Sequence, residues 1–96
     1  MSSRVVIVTG GTDGFSAAIA ERFSKEKFQV ILLDLNREKG ECKSLQDPQL
    51  HYVYGNVTTR EIWEHVLEVA IARYGRIDVV VNNAGAFHGQ LEYSPE

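Results

Sequence analysis

The residues with the clearest chemical potential are glycines at the end of an apolar run and an acid that follows them. Val5 to Gly14 reads VVIVTGGTDG, and Asp34 stands twenty positions after Gly14, at the end of the next apolar run, FQVILL. A strand that breaks into a tight glycine turn and then a helix leaves unpaired backbone N–H groups at the helix start, aimed at a phosphate. A carboxylate at the end of the following strand can accept hydrogen bonds from ribose hydroxyls. The pairing predicts a dinucleotide-binding βαβ unit. Two plainer readings stand beside it. The glycines could serve an ordinary βα turn that needs positive φ, and Asp34 could be a solvated strand end or a helix N-cap.

Other chemistry is sparse. His51, His65 and His88 share no metal-site spacing and read as surface or packing residues, so no metal is expected. The single cysteine, Cys42, cannot form an internal disulfide, which fits a reducing compartment, and nothing around it marks a reactive thiol. Tyr52, Tyr54, Tyr74 and Tyr93 read as packing residues, and Trp63 as a partly exposed packing aromatic. Walker-type nucleotide binding is excluded because no Gly-Lys-Ser/Thr follows the loop.

Ninety-six residues make one small domain, 1–96, with ordinary apolar (44%) and charged (24%) content. A formal charge of −3 offers no basic stripe to displace counterions, which argues against a nucleic-acid partner. No apolar run is long enough for a membrane span or signal peptide, and the cytoplasm is the expected location.

Periodicity supplies the elements that must hold these residues. Strands are predicted at 4–9, 28–33, 51–54 and 77–81. The first helix runs from about Asp13 to Lys25, with Ala17, Ile19, Ala20 and Phe23 on its apolar side. The second covers Asn36–Leu45, with a weak point at Gly40 and a stop at Asp47-Pro48. A third runs to Tyr74, with Thr58 and Glu61 as a capping box and Gly75 as its stop. Ile62, Val66, Val69, Ala70 and Arg73 fall along one stripe of this helix. At the other end of the chain, Ser94-Pro95-Glu96 has the pattern of a further helix start. Strands alternating with helices require a parallel sheet with right-handed crossovers. The expected fold class is α/β: half of a doubly wound sheet, four parallel strands in order 3-2-1-4 with helices on both faces. Its fourth strand, IDVVV, is patterned for burial yet lacks a further neighbour, so self-association through that edge is expected.

Asn82-Asn83-Ala84-Gly85 completes a four-part set with TGGTDGFS at Thr9–Ser16, Asp34 and Asn56-Val57, in that order. With this set the chain resembles the N-terminal, cofactor-binding part of a classical short-chain dehydrogenase/reductase across all 96 residues. A methyltransferase also pairs a glycine turn with an acidic strand end but has no counterpart of NNAG. The resemblance implies a partial Rossmann fold and an oxidoreductase ancestry, with hydride transfer between a nicotinamide cofactor and an alcohol or carbonyl. It implies that Gly10, Thr12, Asp13, Gly14 and Phe15 wrap the pyrophosphate and adenosine ribose. Asp34 and Leu35 would bind the adenine ribose, and Asn56 and Val57 the adenine ring. Asn83, Ala84 and Gly85 would line the cofactor cleft.

Two departures stand out: Ser16 replaces the third glycine of the motif, and Asn56 replaces an aspartate whose acceptor role its amide oxygen could take over. The family's catalytic Ser and Tyr-x-x-x-Lys have no match here, because the positions four after Tyr52, Tyr54 and Tyr74 hold Asn56, Thr58 and Asp78. No catalytic residue is therefore assigned, and the chain is expected to be a truncated, cofactor-binding half, inactive alone. A small-molecule substrate would require completion by another chain. The alternatives are a non-catalytic dinucleotide-binding or interaction module, or an inactive truncated gene product. NAD is preferred over NADP because Asp34 would repel a 2′-phosphate and Asp13, not a basic residue, stands in the loop. Arg37 is the one nearby cation that argues the other way.

Overall fold

β-Branched side chains dominate the strands because they suit a pleated surface covered on both sides. The computed structural model describes residues 3–10, 14–56 and 58–82. Its elements are β1 (Val5–Thr9), α1 (Gly14–Lys25), β2 (Gln29–Asp34), α2 (Arg37–Gln46), β3 (Leu50–Tyr54), α3 (Arg60–Tyr74) and β4 (Val79–Asn82). The strands form one parallel sheet in the order β3-β2-β1-β4, as the alternating pattern predicts.

Side chains alternate across the sheet with period two. Val5, Ile7, Ile31, Leu33 and Val53 face Val66 and Ala70 of α3. Val6, Val8, Val30 and Leu32 face Ala20 and Phe23 of α1 on the other side. Tyr52 joins this second cluster, and the ring passes so close to Gly40 that α2 lies on the same side as α1. Every residue of β1 is buried, so the strand bearing the glycine turn is firmly anchored on both faces.

The helix ends carry the main differences from the sequence-based expectations. Thr59, not Thr58, caps α3, its hydroxyl accepting from the Ile62 N–H at 3.3 Å. Thr58 is taken up instead by Asn56, whose amide oxygen accepts from both the Thr58 N–H (2.9 Å) and hydroxyl (2.8 Å). Adjacent threonines compete for one cap, and the asparagine turn decides between them. Of the residues on that stripe, Val66 and Ala70 are buried and Arg73 is exposed. The line Val66–Ala70 continues by steps of four to Tyr74, whose ring packs on the core beneath the Arg73 guanidinium. Gly75 ends α3 as predicted, at φ 79°.

An unpredicted stop closes α1. The Phe28 N–H donates to the Phe23 carbonyl (3.0 Å) and the Lys27 N–H to the Ser24 carbonyl (2.9 Å), the two bonds of a Schellman motif. Its hydrophobic contact is Phe23 against Phe28, edge to face at 4.8 Å between ring centroids. The motif needs a left-handed residue, and here that residue is Lys27, at φ 71°. A side chain in that region costs about 1–2 kcal/mol, partly offset by the greater freedom a glycine loses on folding. Lys27→Gly is therefore expected to stabilise the fold by about 0.5–1 kcal/mol, read as a higher urea midpoint. An unchanged or lower midpoint would refute it.

β4 is clamped to β1 at its start. The Asp78 carboxylate accepts from the Val5 N–H at 2.8 Å, and the Asp78 N–H returns a bond to the Val5 carbonyl at 2.9 Å. Arg76 adds a forked pair to the same carboxylate at 2.9 and 2.7 Å. These donors, Arg76 first and then Val5, hold the Asp78 carboxyl below its ordinary value. A folded-state value below the unfolded one contributes stability above about pH 4 that is lost as pH falls further. Urea midpoints of wild type and Asp78→Asn are expected to differ at pH 7 and to converge as pH falls below about pH 4. A constant gap across that range would rule the clamp out.

Candidate functional site

In a parallel sheet the strands all end on one rim, and the turns that leave it converge there. Thr9 pairs with Leu33 and Asn82, and Asp34 pairs with Tyr54, so the ends of β1, β2, β3 and β4 form one edge. Gly10 leaves β1 at φ 67°, its N–H donating to the Leu33 carbonyl at 2.8 Å, one residue from Asp34. A left-handed turn immediately after a buried strand is what the glycine accommodates there. The turn and the acid predicted to act together therefore sit on adjoining strands of the same rim.

Asp34 is half-buried, and its Oδ1 accepts from the N–H groups of Leu35 (2.6 Å) and Asn36 (3.3 Å). The N-cap of α2 is Asn36, whose side chain accepts from the Lys39 N–H at 3.0 Å, so the capping alternative for Asp34 does not apply. Leu35 is 54% exposed beside it, an uncovered apolar surface on the rim. The main chain here is braced from β3. The Tyr52 hydroxyl donates to the Asp34 carbonyl at 3.0 Å, and the Gly55 N–H donates to the same oxygen at 3.1 Å. Burial first, and the Asp34 charge next, push the Tyr52 phenol above its ordinary value, so it remains a donor. Sequence patterning placed Tyr52 only as packing, and a phenol aimed at a carbonyl eighteen residues away leaves no periodic trace.

Asn56 stands exposed on the same rim. Its amide oxygen already accepts two bonds from Thr58, which leaves the NH₂ group as its available polar edge. Thr9 closes the opposite side, its hydroxyl donating to the Asn82 Oδ1 at 2.9 Å, which ties the end of β1 to the end of β4. Ser16 is half-buried on α1, and Gly14 begins that helix. Thr12, Asp13, Val57, Asn83, Ala84 and Gly85, with the Phe15 side chain, lie outside the described residues, as do His88 and Tyr93.

Elsewhere the polar residues disperse. His51 lies on β3 and His65 is exposed on α3. Burial first, then Arg73, lowers the His51 imidazole. Among the described residues no group of three or more His, Cys, Asp or Glu side chains could hold a metal ion. Among them, too, no helix is long and apolar enough to cross a membrane.

Comparison with known proteins agrees with this geometry. The sequence pattern of the family described as short chain dehydrogenase matches residues 4–96. L-fucose dehydrogenase of Bos taurus is 34% identical over 95 residues, covering 99% of this chain and 35% of that protein. A short chain dehydrogenase structure from Bacillus anthracis superposes with a TM-score of 0.79 at 33% identity, over 84% of this chain and 34% of that one. A variant actinorhodin polyketide ketoreductase, solved with NADPH, gives a TM-score of 0.80 at 30% identity, over 86% and 33% of the two chains. The chain thus spans about a third of the length of the proteins it matches.

Proposed function

Because the chain belongs to the short chain dehydrogenase family, we propose that the rim of β1, β2 and β3 binds the adenosine half of a nicotinamide dinucleotide. The observation that carries this reading is the placement of the Gly10 turn and the Asp34 carboxylate on adjoining strand ends. Gly10, Thr12, Asp13, Gly14 and Phe15 take the pyrophosphate side, where helix-end N–H groups favour an anion. Asp34 accepts from the ribose hydroxyls, and the exposed Leu35 lies against the sugar and base. Asn56, with its oxygen occupied, offers its NH₂ group to a ring nitrogen of adenine, and Val57 adds apolar contact. Asn83, Ala84 and Gly85 continue the cleft toward the nicotinamide.

NAD is the preferred cofactor. A 2′-phosphate brought to Asp34 meets a like charge, and like-charge repulsion in a half-buried site favours the unphosphorylated ribose. The activity we propose for a protein of its relatives' length is hydride transfer between the nicotinamide and an alcohol or carbonyl. These 96 residues contain no Ser and Tyr-x-x-x-Lys set in the family's positions, so they supply binding and orientation, and the proton-transfer groups come from other residues. A cytoplasmic setting is supported by the exposed free thiol of Cys42. Self-association through β4 is supported by Val80, 50% exposed on the face that α3 covers elsewhere, and by Leu67 and Ile71, exposed beside the buried line of α3.

Calorimetric titration of the purified chain tests the reading. NAD is expected to bind, NADP at least about tenfold more weakly, and no turnover of secondary alcohols should accompany binding. Absence of NAD binding at millimolar concentration would remove the proposal. Size-exclusion chromatography should show dimers or larger species, and a stable monomer would remove the role assigned to the β4 edge.

A further inference from the structure

The peptide unit that joins Asp34 to Leu35 is gripped at both ends. A peptide unit is planar, so its carbonyl and its N–H turn together. The oxygen accepts from the Tyr52 hydroxyl at 3.0 Å and from the Gly55 N–H at 3.1 Å. The N–H, on Leu35, donates to Asp34 Oδ1 at 2.6 Å. Whatever fixes the oxygen end therefore also fixes the donor against which the carboxylate rests. The Gly55 bond continues the backbone pairing of β2 with β3 and owes nothing to side chains. The Tyr52 bond depends on where its ring sits. That ring occupies the space a Cβ at position 40 would fill, and Gly40 is the buried residue of α2.

We propose that Tyr52 is a positioning residue for cofactor binding: seated in the notch at Gly40, its hydroxyl holds the Asp34–Leu35 peptide plane so that the carboxylate is set for the ribose before the ligand arrives. The inference rests on the ribose-binding reading of Asp34, and Tyr52 acts through that carboxylate, not by touching the cofactor. A side chain that has to be ordered when its ligand binds subtracts from affinity. Fixing the plane beforehand removes part of that loss. The phenol is neutral and its acceptor is a backbone oxygen, so the device works by geometry and adds no charge to the site.

The test is a double-mutant cycle, read by calorimetric titration of NAD into the full chain up to millimolar concentration. Tyr52→Phe keeps a ring in the Gly40 notch and deletes only the hydroxyl. It is expected to weaken NAD binding about fivefold, the effect of one neutral hydrogen bond. In an Asp34→Ala chain, which has no carboxylate left to aim, the same change should alter NAD affinity by less than about twofold. A hydroxyl that merely supported the fold would weaken binding equally in both backgrounds, because nothing would couple it to the carboxylate. An equal or greater loss in the Asp34→Ala chain, or no loss in either, overturns the inference and leaves the ribose reading intact. Failure of wild type to bind NAD overturns both. Circular dichroism of each variant identifies a chain that has not folded. Tyr52→Met then replaces Tyr52→Phe, because a flexible apolar side chain fills an irregular gap without supplying a donor, and the same pair of outcomes is expected.

Discussion

Asp34→Ala is expected to weaken NAD binding about a hundredfold. A ribose presents two hydroxyl donors, and hydrogen bonds to a charged acceptor contribute about 1.5–3 kcal/mol each. Losing the carboxylate while water partly re-solvates the hydroxyls leaves a deficit of about 2.7 kcal/mol, or two decades of affinity. The substitution also removes the acceptor for the Leu35 and Asn36 N–H groups, so some loosening of the turn into α2 accompanies it. Asp34→Asn separates the two effects, since it keeps an oxygen for those donors. It should retain the melting temperature of wild type and still lose most of the NAD affinity. If Asp34→Ala binds NAD as wild type does, the carboxylate is not the ribose acceptor.

Gly40→Ala carries the second large effect, and its sign is the informative part. In an exposed helix interior this change stabilises by about 1 kcal/mol, because alanine is the better helix former. Here a Cβ at position 40 would collide with the Tyr52 ring at Cε1, Cδ1 and Cζ. Displacing that ring overpacks the layer between α2 and β3, at about 1–3 kcal/mol, and breaks the Tyr52 hydroxyl bond to the Asp34 carbonyl, at about 1 kcal/mol. The net expectation is a loss of about 2 kcal/mol, visible as a lower urea midpoint with an unchanged slope. In a Tyr52→Ala background the collision is gone and Gly40→Ala should become stabilising. A destabilisation that persists there would mean the ring is not the cause.

The same glycine shows where sequence patterning ends. Read along α2, Gly40 is only a weak point in a polar helix, because the ring that fills its missing side chain comes from β3, twelve residues on. The strands were legible for the opposite reason. VVIVT and QVILLD each carry their burial within themselves, as unbroken apolar runs covered on both faces. The Gly10 turn and Asp34 were legible as a pair because two consecutive strand ends of a right-handed βαβ unit must meet on one rim. What surrounds them was not. The Tyr52 hydroxyl on Asp34, the Arg37 stack on Tyr54 and the loss of the Asn56 oxygen to Thr58 each join side chains through tertiary placement. The cap of α3 slipped by one residue for a local reason, since either threonine satisfies the same motif until Asn56 claims one of them. Helical spacing alone tolerates both a third and a fourth position, so it did not show that Tyr74, rather than Arg73, continues the buried line of Val66 and Ala70.

β1 is one of the two inner strands, and its second neighbour arrives late in the chain: Val5 and Asp78, joined by a reciprocal pair of hydrogen bonds, are 73 residues apart. During synthesis β1, β2 and β3 can pair while one flank of β1, a fully buried strand, stays open, and only closure of that long loop seals it. Closure at such separation is entropically slow. The interval before β4 docks is therefore the period in which this chain is most exposed to misassembly, and chaperone dependence should centre on that step. In native-state hydrogen exchange the amides along the β1–β4 seam should open at lower free energy than those shared by β1 and β2.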